Sequence, residues 1–462
     1  MQRRSTTVVM VTIIALLALV LGACTTVAPP AQQTAGEAEA PAEAPAEAPA
    51  EAPAEPAEDV GTFSYWGGLI FSEDANNMLV ARIEEWGELR GVDVEVVMIN
   101  QNETVQRVSA AIEAGTMPDA LDMGWGQMLL LSEQGQLQPV EGLYDEIGES
   151  LGGWLNAANQ ATNPDLFGGH RYGIPFSLGG NVLFRRADLL EPLGFTEAPA
   201  TWEEVADMSR AAQDPPNYYG MGFALSDVGD ANLTQSMLRS WGGRIADDAG
   251  ENCTIDSPET RAFLEWITQA WNDGLFPPGV TTYDGAGDNV AYQSGTAMFI
   301  ANPGSVYLYM RDEDPELGEG TKYSGLPGGP VTRVSPVGAN LRVIPTGTNE
   351  AKTELAKDLF RFLAEPEFMN EYYFHAIYGP AAEGYRDAPI FSESAVHEGL
   401  LDLAVNGTFG AFPDVDNAAL AEYDTNFLTP RMIQRIAVDG LSIDESIAET
   451  QAACQEIYNK YK

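Results

Sequence analysis

Residues 61–118 alternate short apolar strand patterns with helical patterns, and this alternation limits the folds open to the chain. Residues 61–66 (GTFSYW) are typical of a strand that stops at a glycine pair, and residues 92–99 form a second strand pattern. Apolar residues at helical spacing follow each strand: Leu79, Ile83, Trp86 and Leu89 after the first, and Val105, Val108 and Ile112 after the second. This order predicts an α/β fold with a parallel sheet and right-handed crossovers.

Further helix starts are predicted from capping patterns. Residues 201–204 (TWEE) and 442–445 (SIDE) each place a hydroxyl three residues before a carboxylate, which is typical of a capping box. Ser257 precedes Pro258, which suits the first position of a helix. The apolar stripe that follows over residues 263–271 is expected to belong to the core.

The first 24 residues have the composition of an export signal. Arg3 and Arg4 precede an apolar run over residues 8–21, which is too short for a confident membrane-spanning helix. The run ends in residues 21–24 (LGAC), which resemble the lipobox of bacterial lipoproteins. That resemblance implies a signal peptide over residues 1–23 and lipidation of Cys24. The alternative is an ordinary cleaved signal with a coincidental cysteine.

The segment that follows has a composition that cannot form a core. Residues 37–58 consist of alanine, proline and glutamate and contain no large apolar side chain. Such a segment cannot bury enough surface to offset the entropy of ordering. We therefore predict that residues 24–59 are a lipidated cysteine and a disordered tether.

The charge of the chain excludes one class of partner. There are 68 Asp and Glu against 24 Lys and Arg, for a formal net charge of −44. A surface this acidic repels phosphate backbones, so no nucleic-acid partner is expected. We interpret the charge as a solubility feature in preference to a signature of a cationic ligand.

The scarce cysteines and histidines argue against a metal site or a catalytic triad. The chain has three cysteines, none in a Cys-x-x-Cys pair, and three widely scattered histidines. Neither a Gly-x-Ser-x-Gly motif nor a Walker lysine motif is present. We expect no metal, no cofactor and no enzymatic activity.

Several short motifs resemble, in order, the extracellular solute-binding proteins of bacterial ABC importers, specifically the sugar-binding group that includes maltose-binding protein. The motifs are residues 114–119 (AGTMPD), 134–140 (QGQLQPV), 172–176 (YGIPF), 187–190 (ADLL), 201–205 (TWEEV) and 295–298 (GTAM). Two departures stand out. Arg185-Arg186 replaces the usual Tyr-Asn-Lys, and residues 302–305 (NPGS) lack the tryptophan often found there. The second departure removes a sugar-stacking ring and argues against a maltose-like glucan as the ligand.

The resemblance implies a two-lobed periplasmic-binding-protein fold (type II, maltose-binding-like) with an interlobe ligand cleft. Lobe one would comprise residues 60–177 plus 328–378, and lobe two residues 178–327 plus 379–462. Cys253 and Cys454 would then share lobe two, where an exported protein could join them in a disulfide. The alternative is two separate buried thiols.

Candidate ligand contacts follow from the need of a sugar for flat rings and for groups that donate and accept hydrogen bonds. In lobe one they end predicted strands, flank glycines or lie at a crossing: Tyr65, Trp66, Gln101, Trp125, Gln127 and Tyr378. In lobe two they lie near positions where the family places ligand contacts or beside a glycine pair: Asn232, Trp241, Asn302 and Tyr423.

These observations predict a monomeric lipoprotein on the outer face of the cell membrane, held by its lipid anchor only. It would capture a carbohydrate and deliver it to the permease subunits of an ABC importer. Two alternatives remain open: a carbohydrate-active hydrolase, and a receptor that feeds a sensor instead of a transporter.

Overall fold

The computed structural model describes residues 61–70, 72–100 and 103–462. The strands in this part of the chain are β1 (Phe63–Leu69), β2 (Val94–Asn100), β3 (Ala120–Gly124), β4 (Ile174–Gly179), β5 (Val182–Arg186), β6 (Tyr219–Met221), β7 (Ala297–Asn302), β8 (Thr321–Ser324), β9 (Pro336–Val343) and β10 (Thr408–Phe409). The signal, Cys24 and tether predictions all fall outside the described residues.

The helices of the described part alternate with and follow these strands. They are α1 (Glu73–Arg90), α2 (Thr104–Ala114), α3 (Trp125–Glu133), α4 (Glu141–Ser150), α5 (Asn156–Ala161), α6 (Ala187–Leu190), α7 (Trp202–Ala212), α8 (Leu233–Ser240), α9 (Pro258–Asn272), α10 (Gly287–Gln293), α11 (Ser305–Asp312), α12 (Pro315–Glu319), α13 (Glu350–Leu363), α14 (Pro366–Ala376), α15 (Ile390–Glu393), α16 (Ala395–Asn406), α17 (Ala418–Thr425), α18 (Leu428–Ala437) and α19 (Ile443–Lys460). None of them is long and apolar enough to cross a membrane.

The first sheet confirms the predicted parallel start of the fold. Its strand order is β10-β9-β3-β1-β2, with β4 also paired to β9. β1 lies parallel to both β2 and β3, whereas β9 runs antiparallel to β3 and β4. Helix α1 is capped at its start by Ser72, whose side chain accepts a hydrogen bond from the Ala75 amide. Gly91, in the left-handed conformation, caps its end. Its residues Leu79 and Ile83 are buried against the sheet.

The second sheet has the order β6-β7-β5-β8 and a separate core. β5 runs antiparallel to β7 and β8, and β6 runs parallel to β7. The two sheets make this a two-lobed α/β protein, as the sequence predicted. The predicted lobe boundaries remain a prediction. Residues 379–462, which the sequence analysis assigned to lobe two, include β10, and β10 pairs with β9 of the first sheet.

The predicted caps differ in detail. Ser442 and Glu445 form a complete capping box at the start of α19. At α7 the Thr201 side chain accepts from the Glu204 amide, but the Glu204 carboxylate accepts from the Ala200 amide, one residue before the cap. This second pattern is therefore a cap without the reciprocal bond.

A disulfide joins Cys253 to Cys454, with 5.9 Å between the Cα atoms. Both cysteines belong to the second core, since Cys454 lies on the buried face of α19. The Gln451 amide donates to the Cys253 carbonyl oxygen at 2.9 Å, and the Gln455 side chain accepts from the Cys253 amide at 3.3 Å. The bridge and these bonds fasten the C-terminal helix to the loop before α9.

Two of the connections between the sheets pass side by side. The link from β4 to β5 contains Gly180, and a Cβ atom there would lie 2.5 Å from the Pro336 carbonyl oxygen at the start of β9. Nearby, Gly379 and Leu178 exchange backbone hydrogen bonds of 2.7 and 3.0 Å. Glycine at position 180 is required because the two chain segments approach so closely.

Candidate functional site

A cavity of about 490 Å³, cavity one, opens at the carboxyl ends of β1 and β3. Ligands of open α/β sheets bind at such ends. Its lining residues come from the first sheet and the helices that cover it: Gly68, Ile70, Thr104, Val105, Asp122, Met123, Gly124, Gly126, Gln127, Leu130, Phe176, Asn340, Tyr372 and Tyr378.

The floor of cavity one contains a buried ionic group. Asp122 accepts a short hydrogen bond from the Tyr65 hydroxyl, and Arg342 Nε lies 3.7 Å from the same carboxylate oxygen. The Arg342 guanidinium stacks over the ring of Phe176, 4.3 Å from its centroid. Burial raises the pKa of Asp122 to about 6, and the positive charge of Arg342 opposes that rise. Asn340 donates to the Ser177 hydroxyl at 3.0 Å and so is held at the cavity wall.

A second cavity, cavity two, has a volume of about 470 Å³ and is lined from both sides of the molecule. One side is formed by α3, the β4–β5 link and β9–β10, which belong to the first sheet, and the other by α8 and the turn before it. The lining residues are Trp125, Gly179, Gly180, Asn181, Gly229, Asp230, Asn232, Leu233, Ser236, Leu326, Pro336, Val337, Gly338, Phe409 and Gly410. Because α8 packs in the second core, cavity two lies between the two lobes.

Two polar atoms at cavity two have no hydrogen-bond partner among the described residues. They are Trp125 Nε1, a donor, and Asn232 Oδ1, an acceptor. The Trp125 ring meets the Phe409 ring edge to face, with centroids 5.1 Å apart. Each side chain would have to shift for its atom to meet a ligand, and an unpaired buried polar group costs free energy.

Four of the predicted contact residues line these cavities. Gln127 lines cavity one, and Trp125 and Asn232 line cavity two. Tyr378 lines cavity one and also a smaller cavity of about 130 Å³ beside Gly304 and Ser305. Their roles as ligand contacts remain predictions.

Three rings predicted as ligand contacts lie buried in the cores, and their roles stay predictions. Tyr65 is fully buried beneath cavity one, and its hydroxyl donates to Asp122. Trp241 is buried against Trp266, with ring centroids 4.6 Å apart. Tyr423 is fully buried, and its hydroxyl lies 2.9 Å from that of Thr429. As placed, none of the three offers a ring face to a ligand.

The remaining candidates occupy other positions. Trp66 is half-buried against the first core and is not among the lining residues of either cavity. Asn302 is buried and organises its own loop: its Oδ1 accepts from the Gly304 amide at 2.9 Å and from the Ser305 hydroxyl at 3.1 Å. Gln101 lies outside the described residues.

Some residues at the site were missed by sequence reasoning. Asp122, Asn340 and Tyr372 line cavity one, and Arg342 lies behind it. The available signal was a carboxylate inside the otherwise apolar strand β3 (ALDMG). On the second lobe, Asp288 is buried. Its burial, and to a lesser extent the negative charge of Asp230, raise its pKa to about 7. Within the described ranges no cluster of three or more metal-binding side chains occurs.

Comparison with known proteins identifies the family. A family model described as "Bacterial extracellular solute-binding protein" matches residues 81–398. A relative from Brucella abortus (strain 2308) is 23% identical over 276 residues, which is 58% of this chain and 64% of that protein. A Deinococcus radiodurans relative named "Probable ABC transporter-binding protein" is 25% identical over 248 residues, 52% of this chain and 58% of its own. The alignments thus span less than two thirds of these relatives' length.

Solved structures agree in fold. Maltose-bound MalE3 of T. maritima superposes with a TM-score of 0.70 at 22% identity, covering 86% of this chain and all of that one. The sugar-binding protein MalE of Xanthomonas citri gives a TM-score of 0.73 at 18% identity, covering 87% and 98%. At these identities the likeness establishes the two-lobed fold. With the family match over residues 81–398, it follows that the chain belongs to the bacterial extracellular solute-binding proteins.

Proposed function

We propose that this protein captures a carbohydrate in the cleft between its lobes and delivers it to an ABC importer. The observation that carries the proposal is cavity two, which is lined by both lobes and includes Trp125 and Asn232, each with a buried polar atom that has no partner among the described residues. A hydroxyl group can both accept and donate, so a polyhydroxyl ligand suits the pair.

The lining of cavity one supports the same ligand class. It combines hydroxyl, amide and carboxylate groups with apolar and aromatic surface, including Gln127, Asn340 and Tyr378. Sites with a mostly apolar wall and a few fixed polar groups are typical of small-molecule binding. Related structures were solved with maltose, α-D-tagatose and ribitol, all neutral polyhydroxyl compounds.

The mechanism we propose is closure of the lobes on the ligand. Ligand first binds one lobe and then contacts both, which stabilises the closed arrangement in proportion to the added contacts. The closely packed segments at Gly180 and Gly379 are positioned to act as the hinge.

The cellular location is also a proposal and follows from the sequence of the N-terminus. Lipidation of Cys24 would hold the protein at the outer face of the membrane, with residues 25–59 as its tether and importer permease subunits as its partners. Intact-mass spectrometry of membrane-extracted protein tests this: we expect a lipid adduct on wild type and none on Cys24→Ala. An unmodified wild-type Cys24 would contradict it.

Binding without turnover is favoured over hydrolysis. Glycoside hydrolysis requires two carboxylates flanking the bond. Among the described lining residues each cavity has a single carboxylate, Asp122 in cavity one and Asp230 in cavity two. Purified protein is therefore expected to leave glycosides intact, and product release measured by chromatography would reverse that conclusion.

A thermal-shift screen tests the binding proposal directly. Maltose, D-glucose, D-galactose, D-tagatose and ribitol are added separately, and we expect at least one to raise the melting temperature, because it binds the native state only. Small-angle scattering with that compound should show a smaller radius of gyration as the lobes close. If no neutral sugar or polyol binds, the proposed ligand class is wrong.

A further inference from the structure

Asp122 is a carboxylate placed in a strand whose other side chains are apolar. Strand β3 is buried along residues 120–123, and the Asp122 side chain is only 6% exposed. Burying an ionised carboxylate is costly unless the charge is paired and hydrogen-bonded. Asp122 at this position therefore requires groups that pair with its charge and donate hydrogen bonds. The described residues meet this requirement only in part.

Both protein partners of Asp122 reach the same oxygen. The Tyr65 hydroxyl donates to Oδ1, and Arg342 Nε lies 3.7 Å from Oδ1, beyond hydrogen-bond distance. Within the part of the chain that the structure describes, no hydrogen bond reaches Oδ2. A carboxylate can accept about four hydrogen bonds, so Asp122 retains acceptor capacity where it lines cavity one.

The charge that compensates Asp122 lies behind the cavity wall. Arg342 is 1% exposed, is not among the lining residues of cavity one, and is covered by the Phe176 ring. Among the described residues that line cavity one, Asp122 is the only one with an ionised side chain at neutral pH. An anionic group that enters the cavity therefore meets a carboxylate before it meets a cation.

We propose that Asp122 is a specificity-determining ligand contact, in which Oδ2 accepts a hydrogen bond from a ligand hydroxyl and the carboxylate rejects ligands with an anionic group at that position. This rests on the proposed function and adds a charge requirement to it. Tyr65 and Arg342 are positioning residues that hold the carboxylate toward cavity one.

None of the titratable groups that face Asp122 changes its charge near neutral pH. They are Tyr65 on β1, Arg342 on β9 and Tyr372 on α14, and burial raises the pKa of both tyrosines well above 10. Burial raises the pKa of Asp122 only to about 6. The carboxylate is therefore mostly ionised at pH 7.5, where rejection of anions should be strong.

The first test uses the unmodified protein and matched pairs of probes. The pairs are D-glucose with D-glucuronate, D-galactose with D-galacturonate, maltose with maltobionate, and ribitol with D-ribonate. We expect calorimetry at pH 7.5 to show the neutral member of the binding pair bound at least about 10-fold more tightly, the range of one charge-assisted hydrogen bond. An acid that binds as tightly as its neutral partner overturns the role of Asp122 and leaves the proposed function standing. If no probe of either kind binds, both fail.

The second test is Asp122→Asn, which keeps the shape of the side chain and removes its charge. We expect affinity for the neutral probe to fall about 10- to 100-fold and the preference over the acid to shrink. The matched control is Asp119→Asn, which removes a buried carboxylate paired with Lys352 in the same lobe and does not line either cavity. An unchanged preference in folded Asp122→Asn overturns the assignment. Should that variant fail to fold, the paired-probe comparison on wild type still decides it.

Discussion

At the scale of single residues, the proposed function involves side chains whose polar atoms the fold leaves unsatisfied. Trp125 illustrates this, because its ring packs against Phe409 while its Nε1 has no partner among the described residues. The glycines on either side of it, Gly124 and Gly126, line cavity one. Trp125 therefore connects the two cavities through one side chain and its neighbours.

Replacing Trp125 by alanine tests that interpretation. Trp125→Ala is expected to weaken binding of the sugar found in the screen by about 1–3 kcal/mol, since a packed aromatic contact and a hydrogen-bond donor are lost. Calorimetry measures the effect. Trp241→Ala serves as the control: it opens a cavity in the second core and should lower stability, with affinity retained in the folded fraction. Equal affinity for wild type and Trp125→Ala would contradict the assignment.

Asp288 makes stability depend on pH. Burial and the charge of Asp230 raise its pKa to about 7, whereas an unfolded aspartate titrates near 4. Between these values the native state holds a proton that the unfolded state has released, so the contribution of Asp288 to stability falls as pH rises from about 4 to about 7.

Asp288→Asn is expected to remove that contribution. Urea denaturation at pH 4.5 and 7.5 should show that the variant gains stability relative to wild type at the higher pH. Asp284→Asn changes an exposed residue of the loop before α10 and should leave the pH dependence unchanged. Parallel pH profiles for wild type and Asp288→Asn would show that the carboxylate does not titrate in this range.

At the scale of elements, one buried carboxylate fixes the segment that connects β10 to α17. Asp414 accepts from Arg239 Nε and Arg244 Nε, each at 2.9 Å, and from the amides of Ile245 and Ala246. Arg239 belongs to α8, which lines cavity two. The network therefore ties the strand that carries Phe409 to the helix that forms the opposite wall.

Breaking this network should cost far more than breaking a surface pair. Asp414→Ala leaves Arg239 buried without its partner, and we expect a loss of about 3–5 kcal/mol of unfolding free energy. Asp439→Ala removes an exposed pair with Arg435 and should change stability little. Chemical denaturation of both variants measures the difference, and similar losses for the two would contradict the proposed role.

At the scale of the whole molecule, the disulfide joins two segments of the second lobe and closes a long loop that also passes through the first sheet. The bonded cysteines are 201 residues apart in sequence. In the chain-entropy model such a loop contributes on the order of 5 kcal/mol by restricting the unfolded chain, although measured gains are often smaller. The bridge joins α19 to the loop before α9 and does not cross to the first sheet.

Removal of the bridge is therefore expected to lower the melting temperature and spare ligand binding. The double variant Cys253→Ser/Cys454→Ser, or treatment with reductant, should shift thermal unfolding downward while calorimetry shows unchanged affinity. Reductant should have no further effect on the double variant. A wild-type melting temperature that is insensitive to reductant would show that the bridge contributes nothing.

Sequence alone determined the features that depend on local order. The parallel pairing of β1 with β2 follows from strand and helix periodicity over residues 61–118, and the capping box at Ser442 follows from four adjacent residues. The disulfide was one of two alternatives for Cys253 and Cys454, because the assignment of Cys24 to the lipid anchor left these two cysteines. The two-lobed fold followed from motif order.

Only the tertiary structure decided which side chains face the cleft. Tyr65, Trp241 and Tyr423 have the chemistry of ligand contacts but pack in the cores, whereas Val105, expected on the buried face of α2, is 55% exposed and lines cavity one. The role proposed for Asp122 depends on Tyr65 and Arg342, which lie 57 and 220 positions away in the sequence. Residue type and local spacing fix an element and its faces, but whether a face meets a core or a cleft depends on packing between distant segments.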